Sequence, residues 1–333
     1  DFEGAISAMD ESLLRAPRAS VYRWRGIAKR FRGLCRQALE DLTKAIEVDR
    51  TSPSAYADRG DVKSDLGQWD DAISDFTRAI ALNPRLSLAH KFYANLEADT
   101  GRAREGIVRL LDAAMRHGND AELFAGLVHA CRYAGLFEES IAAHAEALRL
   151  DPTISTSLLQ TLLMHGDIDR LITVDMTEHV HGGGDSGIRV IALGFAVRRD
   201  EARLALDRLA HGPASHTFAA WTSHLTAWLD RRVDDMLSTV QIFTPLKIFD
   251  DPEAIFQEAW FFCDVDDHHR DLDFLQRAVA RGYFPAVTLT TWPQFDALRD
   301  DPAFQALLAE AATGRERARV AFREAGGERL LAR

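Results

Sequence analysis

The sequence predicts an all-α protein, a solenoid of stacked antiparallel helix hairpins. Three observations predict it. Small and apolar residues recur every 34 positions through the first half: Gly33, Gly67, Gly101 and Gly135; Ala45, Ala79, Ala113 and Ala147; Leu39, Ile73, Ile107 and Ile141. Within each period the apolar residues fall at helical spacing, in two amphipathic stretches of about a dozen residues each. The composition, 47% hydrophobic and 27% charged, is that of a folded chain, and no run approaches the ~20 apolar residues of a membrane-spanning helix.

Each element follows from a column. Residues 1–18 read as the second helix of a hairpin whose first helix is absent, so the chain is expected to be part of a longer polypeptide. Four complete units follow: 19–52, 53–86, 87–120 and 121–154. In each, the glycine of the Gly33 column ends the first helix at the position that favours a left-handed cap. Gly26, Gly60 and Ala94 leave little or no side chain, so the two helices of a unit approach closely. Pro84, Gly118 and Pro152 end the second helix. One hairpin cannot bury its own apolar face, so stability is expected from stacked neighbours. Beyond Ile154 the strict period is lost. Residues 155–333 read as degenerate hairpins, 188–198 with 201–210, 216–230 with 233–243, and 252–263 with 267–281. A short turn of helix over 293–298 and a long capping helix over 302–324 close the chain. Thr177–Gly187 reads as a loop with a kink of one otherwise continuous superhelix.

The unit 53–86 carries the pattern SAYADRGDVKSDLGQWDDAISDFTRAIALNP, with Tyr56, Gly60, Gly67, Ala72, Phe76, Ala79 and Pro84 in order. This resembles the tetratricopeptide repeat. Arg59 and Lys63 depart from the family, which prefers Leu and Tyr there. The resemblance implies a right-handed superhelix whose concave groove, lined by the first helix of each unit, binds a protein or peptide segment. Carried over residue by residue, the groove positions are Arg23, Ile27, Arg30 and Phe31; Asp58, Asp61 and Asp65; Lys91, Asn95 and Asp99; and His129, Arg132 and Tyr133. Lys91 and Asn95 resemble part of the family's carboxylate clamp, but Gly126, Thr156 and Gln160 stand where its other members belong. A closer resemblance, in ELFAGLVHACRYAGLFEESIAAHAEALRLDP and in the tail FDALRDDPAFQALLAEA, is to the C-terminal repeat regions of bacterial multidomain signalling proteins. It implies a regulatory module with a kinase, cyclase or winged-helix domain upstream, and the other expectation is a stand-alone adaptor.

Chemistry within the chain is poorly supported. GxSxG and GxxxxGK[ST] are absent. His179, His181 and Asp185 could hold a metal, but no clear fourth ligand lies nearby and a mobile polar loop is the expected reading. Asp264, Asp266, Asp267, His268, His269, Asp271 and Asp273 fail the calcium-loop pattern at Leu272 and Ala278, and Asp266 and Asp267 are expected to cap the following helix. The aromatic positions Phe218, Trp221, Trp228, Phe256, Trp260 and Phe261 are expected in the inter-helix core. No cofactor is expected, and the expectation is a non-enzymatic scaffold. The net charge of -11 disfavours nucleic acid as a partner. Eight bases without an acid between Glu11 and Glu40, and nine acids against Arg270 over 250–273, are candidate docking faces. Cys35, Cys131 and Cys263, far apart, form no disulfide framework and fit a reducing, cytoplasmic setting.

Overall fold

The computed structural model describes residues 2–173, 183–210, 216–243 and 250–331. These form an all-α solenoid of antiparallel hairpins, with no strand among the described residues. After α1 (Phe2–Arg15) come α2 (Ala19–Phe31), α3 (Cys35–Val48), α4 (Pro53–Asp65), α5 (Trp69–Leu82), α6 (Ser87–Asp99), α7 (Ala103–His117), α8 (Ala121–Tyr133) and α9 (Phe137–Leu150). From α2 on, first helices begin at 19, 53, 87 and 121 and second helices at 35, 69, 103 and 137, so both series step by 34.

The glycine column sets the turn. Gly33, Gly67, Gly101 and Gly135 have φ between 69° and 83°, the left-handed region that a Cβ disfavours. Each donates its N–H three residues back, and the next residue donates five back, as in Gly33 to Arg30 (2.8 Å) and Leu34 to Lys29 (2.9 Å). A second glycine column works by contact. A Cβ on Gly26 would meet Leu42, and one on Gly60 would meet the ring of Phe76. Leu42 and Phe76 are both fully buried.

The interior of the first hairpins is ionic as well as apolar. Arg25 and Lys29 meet the buried Asp41, with Arg25 Nε at 2.8 Å and Lys29 Nζ at 2.7 Å. One period later Arg59 and Lys63 meet Asp75 at 2.7 and 2.8 Å. In the third unit the charges reverse: Glu97 accepts from Arg109 at 2.8 Å, and Arg109 stacks 3.7 Å from the Tyr93 ring centroid. In the fourth the same columns hold Leu127, Cys131 and Ala143, all buried. Arg59 and Lys63, which depart from the repeat pattern, are therefore the partners of Asp75. Burial pushes the Asp41 carboxyl up, but its bonds to Arg25 and Lys29 outweigh this and hold it below the usual carboxylate range.

The hairpins continue beyond residue 154. α10 (Leu158–His165) and α11 (Ile168–Thr173) lead to α12 (Gly183–Phe195) with α13 (Arg199–Ala210), α14 (His216–Leu229) with α15 (Val233–Phe243), and α16 (Pro252–Asp264) with α17 (His268–Ala280). Their turns repeat the left-handed geometry at Val197, Arg231 and Asp266. The hydrogen bonds are the same, such as Val197 to Gly194 and Arg198 to Leu193. The structural period thus outlives the glycines that reveal it in sequence. Phe195, Trp228, Phe256, Trp260 and Phe261 join one buried aromatic core, with Phe195 stacked 4.3 Å from Trp260. Trp221 is partly buried against it, and the side chain of Phe218 lies outside the described residues.

The expected continuous superhelix gives way to a chain that folds back. α18 (Ala286–Thr291), a 3-10 turn (Pro293–Leu298), α19 (Pro302–Glu324) and α20 (Gly327–Leu331) complete it. Phe284 donates its N–H to Tyr133 (3.1 Å), Arg315 Nε donates to Gly135 (2.9 Å), and Thr288 donates to Met164 (2.6 Å). α19 lies against α7. The turns at Gly101 and Gly282 abut backbone to backbone, and a Cβ on either would enter the other turn. A Cβ on Gly33 would meet nothing within 4 Å. Gly33→Ala should therefore cost about 1 kcal/mol, the left-handed penalty alone. Gly101→Ala should cost more, by about 1–3 kcal/mol of overpacking. Urea unfolding of the two variants checks this.

Candidate functional site

The first helices α2, α4, α6 and α8 place the thirteen groove residues along one face, and the structure divides these into three groups. The first group ties neighbouring units together. Arg23 pairs with Asp58. Arg30 is shared by Asp61 (2.8 Å) and Asp65 (2.6 Å). Lys91 pairs with Glu122 at 2.7 Å, and His129 Nε2 lies 2.7 Å from Asp99. These are contacts between successive first helices, so most of the charge in the groove is answered within the chain. The carboxylate on Lys91 is the chain's own Glu122, which leaves the clamp reading of Lys91 and Asn95 without its key cation.

The second group is covered. Arg132 and Tyr133 are buried, 3% and 2% exposed, and do not face a groove open to a partner. Arg132 donates from Nε and Nη2 to both oxygens of Glu253, at 2.7 and 3.1 Å. Tyr283 donates to the same carboxylate at 3.0 Å, and Tyr133 donates to Asp251 at 3.0 Å. The start of α16 therefore fills the α8 end of the groove. Sequence spacing could not show this, because Arg132 and Glu253 are 121 residues apart.

The third group makes no ion pair: Ile27 and Asn95 are half-buried, and Phe31 is exposed. Phe31 is 63% exposed and stacks on Phe2, with ring centroids 5.6 Å apart. A cleft of about 560 Å³ opens between α4, α6 and the Asp250–Asp251 turn. Its lining includes Arg30, Asp61, Asp65, Trp69, Phe92, Asn95 and Asp99. Burial pushes the Asp61 carboxyl up to about 7; Arg30 opposes this, and Asp65 and Asp58 add to it. The Asp251 carboxyl is raised in the same way by burial and by Asp99 and Glu253. Trp24, in the same face as Ile27 and Phe31, was missing from the sequence set, although it stands 34 residues before Asp58.

The two charged stretches are largely spent in the fold. Five of the eight N-terminal bases are paired, Arg32 with Glu3 and the others as described, while Arg15, Arg18 and Arg36 are exposed. In the acidic stretch, Asp264 takes Arg199 (2.8 Å) and the Trp228 ring N–H (3.0 Å), and Asp266 takes Arg231. Neither Asp266 nor Asp267 caps α17 as expected. Asp267 holds the N-cap position but accepts no capping bond and pairs with Arg270, and Asp266 sits in the left-handed turn. His179 and His181 lie outside the described residues, as do the side chains of Asp185, His268 and His269. Among the described residues no three His, Cys, Asp or Glu side chains converge as a metal site. Cys131 and Cys263 are buried, and burial pushes both thiols up. No described helix is long and apolar enough to cross a membrane.

Comparison with protein-family models and with curated proteins finds no match. Among solved structures the chain is similar to PilF of Pseudomonas aeruginosa, at 18% identity and a TM-score of 0.36, over 72% of this chain and 93% of that one. It is similar to YrrB, a TPR protein described as having an unusual peptide-binding site, at 15% identity and 0.33, over 64% and 95%. It is also similar to the TPR domain of P58(IPK), at 14% and 0.26, over 95% and 94%.

Asp61 makes a pH prediction. Its folded value, about 7, lies above the unfolded value near ~3.9. Its contribution to stability is complete below the unfolded value and is lost as pH rises through about 7. Between pH 5 and 8 the native chain should lose at least ~1 kcal/mol relative to Asp61→Asn. Denaturant midpoints of the two proteins at each pH measure it.

Proposed function

We propose that the chain is a non-enzymatic tetratricopeptide-repeat scaffold that holds a segment of another polypeptide in the groove over α2, α4 and α6. The observation that carries this reading is the cleft beside Asn95. It is an opening left between the Arg30–Asp61–Asp65 ion pairs and the Asp250–Asp251 turn, and it offers an aromatic wall, Trp69 and Phe92, beside hydrogen-bonding groups. Such a surface suits an extended segment, with apolar area for affinity and polar groups for register. The α8 end takes no part, because Glu253 covers Arg132 there.

The setting we propose is the regulatory or partner-binding part of a larger bacterial, cytoplasmic signalling protein. The tail resemblance supports this, and the partner can then be an upstream domain of the same polypeptide. A stand-alone adaptor uses the same groove.

Peptides selected from a random library against the chain test the groove. Phe92→Ala and Asn95→Leu should each weaken the selected peptides at least tenfold, with the helical signal unchanged. Affinity unchanged in both variants contradicts the groove assignment. Arg132 is unsuited to this test, because its loss strands the buried Glu253.

A further inference from the structure

The Asn95 cleft carries more negative charge than the chain answers. Its lining holds five carboxylates, Asp61, Asp65, Asp99, Asp250 and Asp251, against two guanidiniums, Arg30 and Arg36. Arg30 answers Asp61 and Asp65. Arg36 is exposed. Asp99 and Asp251 meet no arginine or lysine among the described residues. Asp251 Oδ1 accepts from the Tyr133 hydroxyl (3.0 Å) and from the N–H of Glu253 (2.9 Å). Asp99 Oδ1 meets His129 Nε2 at 2.7 Å. His129 Nδ1 accepts from Arg132 Nη2 at 3.2 Å, so the ring proton sits on Nε2 and the imidazole is neutral. His129 therefore orients Asp99 without cancelling its charge.

The cleft is also short of donors. In both carboxylates the bonds fall on Oδ1, and Oδ2 accepts none among the described residues. Asn95 adds a third open acceptor, because its Oδ1 is buried and has no hydrogen-bond partner among the described residues. A buried acceptor left unmade is costly, so the site is unfinished without a donor. Elsewhere along the groove the chain finishes such sites itself: Arg23, Arg30 and Lys91 hold Asp58, Asp61 and Glu122. It also shows how an arginine is held between an acid and a ring. Arg109 donates from Nε and Nη2 to both oxygens of Glu97, each at 2.8 Å, while it stacks on Tyr93.

We propose that the cleft takes an arginine side chain of the bound segment, so that the partner is a basic polypeptide; this rests on the groove reading given above. A guanidinium has five N–H donors and no acceptor, the complement of Asn95 Oδ1 and the Oδ2 atoms of Asp99 and Asp251. Its flat face stacks on aromatic rings, and Trp69 and Phe92 supply them. Asp61 gives the binding a pH signature. Burial pushes its carboxyl up to about 7, Arg30 and Lys91 oppose this, and Asp65 and Asp58 add to it. Arg36 on α3, Asp99 on α6 and the Asp250–Asp251 turn line the same cleft. An incoming cation favours the ionised carboxyl, so protons leave as the segment binds. Affinity therefore rises as pH rises through about 7.

The test uses the 333-residue chain and the peptides selected against it from a random library. These should carry an arginine, and replacing it by citrulline, which removes the charge, should weaken them at least about tenfold. Asp99→Asn and Asp251→Asn keep the Oδ1 acceptor that each residue already uses, and circular dichroism confirms their folding. Each should weaken the arginine peptide at least about threefold and leave the citrulline peptide unchanged. From pH 6 to 8 the arginine peptide should tighten and the citrulline peptide should not. Peptides that depend on Phe92 and Asn95 but carry no arginine, or that ignore both aspartate variants, overturn this inference and leave the groove reading standing. Peptides indifferent to Phe92→Ala and Asn95→Leu remove the groove reading and this inference with it. Tightening of about tenfold in Arg36→Ala or Lys247→Ala also overturns it, since a side chain of the chain itself is then the occupant.

Discussion

The buried pair between Arg132 and Glu253 decides how the rest of the molecule is laid out. Both side chains are nearly inaccessible, 3% and 8% exposed, so each charge depends on the other. Two ionised groups stay in such a site only when geometry and further hydrogen bonds offset their desolvation. Here the pair is bidentate, Tyr283 adds a donor to Glu253, and Ser157 accepts from Arg132 Nη1 at 2.6 Å. The pair locks α16 onto α8, and the Gly101–Gly282 and Gly135–Phe284 contacts carry the same seam outward. Because of it the C-terminal hairpins return to the third and fourth units, and the groove ends at α6.

Charge in this solenoid is mostly structural. Within hairpins it alternates by unit: Arg and Lys against Asp in the first two full units, Glu against Arg in the third, and apolar side chains in the fourth. Between units it runs along the groove as Arg23–Asp58, Arg30–Asp61 and Lys91–Glu122. A face of self-satisfied ion pairs offers a partner little net attraction, since each pair must be broken before it can be used. In the function proposed above, recognition falls to the surface left over, the Asn95 cleft. Proteins with grooves in the same fold can therefore differ completely in what they bind.

The regular half was legible because its constraints are local. A left-handed turn demands glycine, and a close helix crossing demands glycine or alanine, so the 34-residue columns gave the helices and turns of residues 19–154. The second half hid the same geometry, because Val197, Arg231 and Asp266 occupy the left-handed turns that glycine marks elsewhere. The groove was half legible. Family positions located Arg23, Arg30, Asp58, Asp61 and Asp65 on one face but could not show that they pair with one another. The column of Asp41, Asp75 and Arg109 does carry a local signal: opposite charges 16 residues apart within one unit, Arg25 with Asp41 and Arg59 with Asp75. Nothing local marks Arg132 as buried. Its partner comes from a segment that must first fold back, and such long-range contacts leave no periodic trace.

The central claim is that the C-terminal half closes the α8 end of the groove through the Arg132–Glu253 pair. A double-mutant cycle with Arg132→Met and Glu253→Met, read by denaturant unfolding, measures it directly. Each single variant should lose about 3 kcal/mol, because it leaves a buried charge without its partner. The double variant should recover most of that loss, giving a coupling of at least ~2 kcal/mol. Losses that simply add, with coupling near zero, would mean that the two side chains do not meet and that the groove remains open through α8.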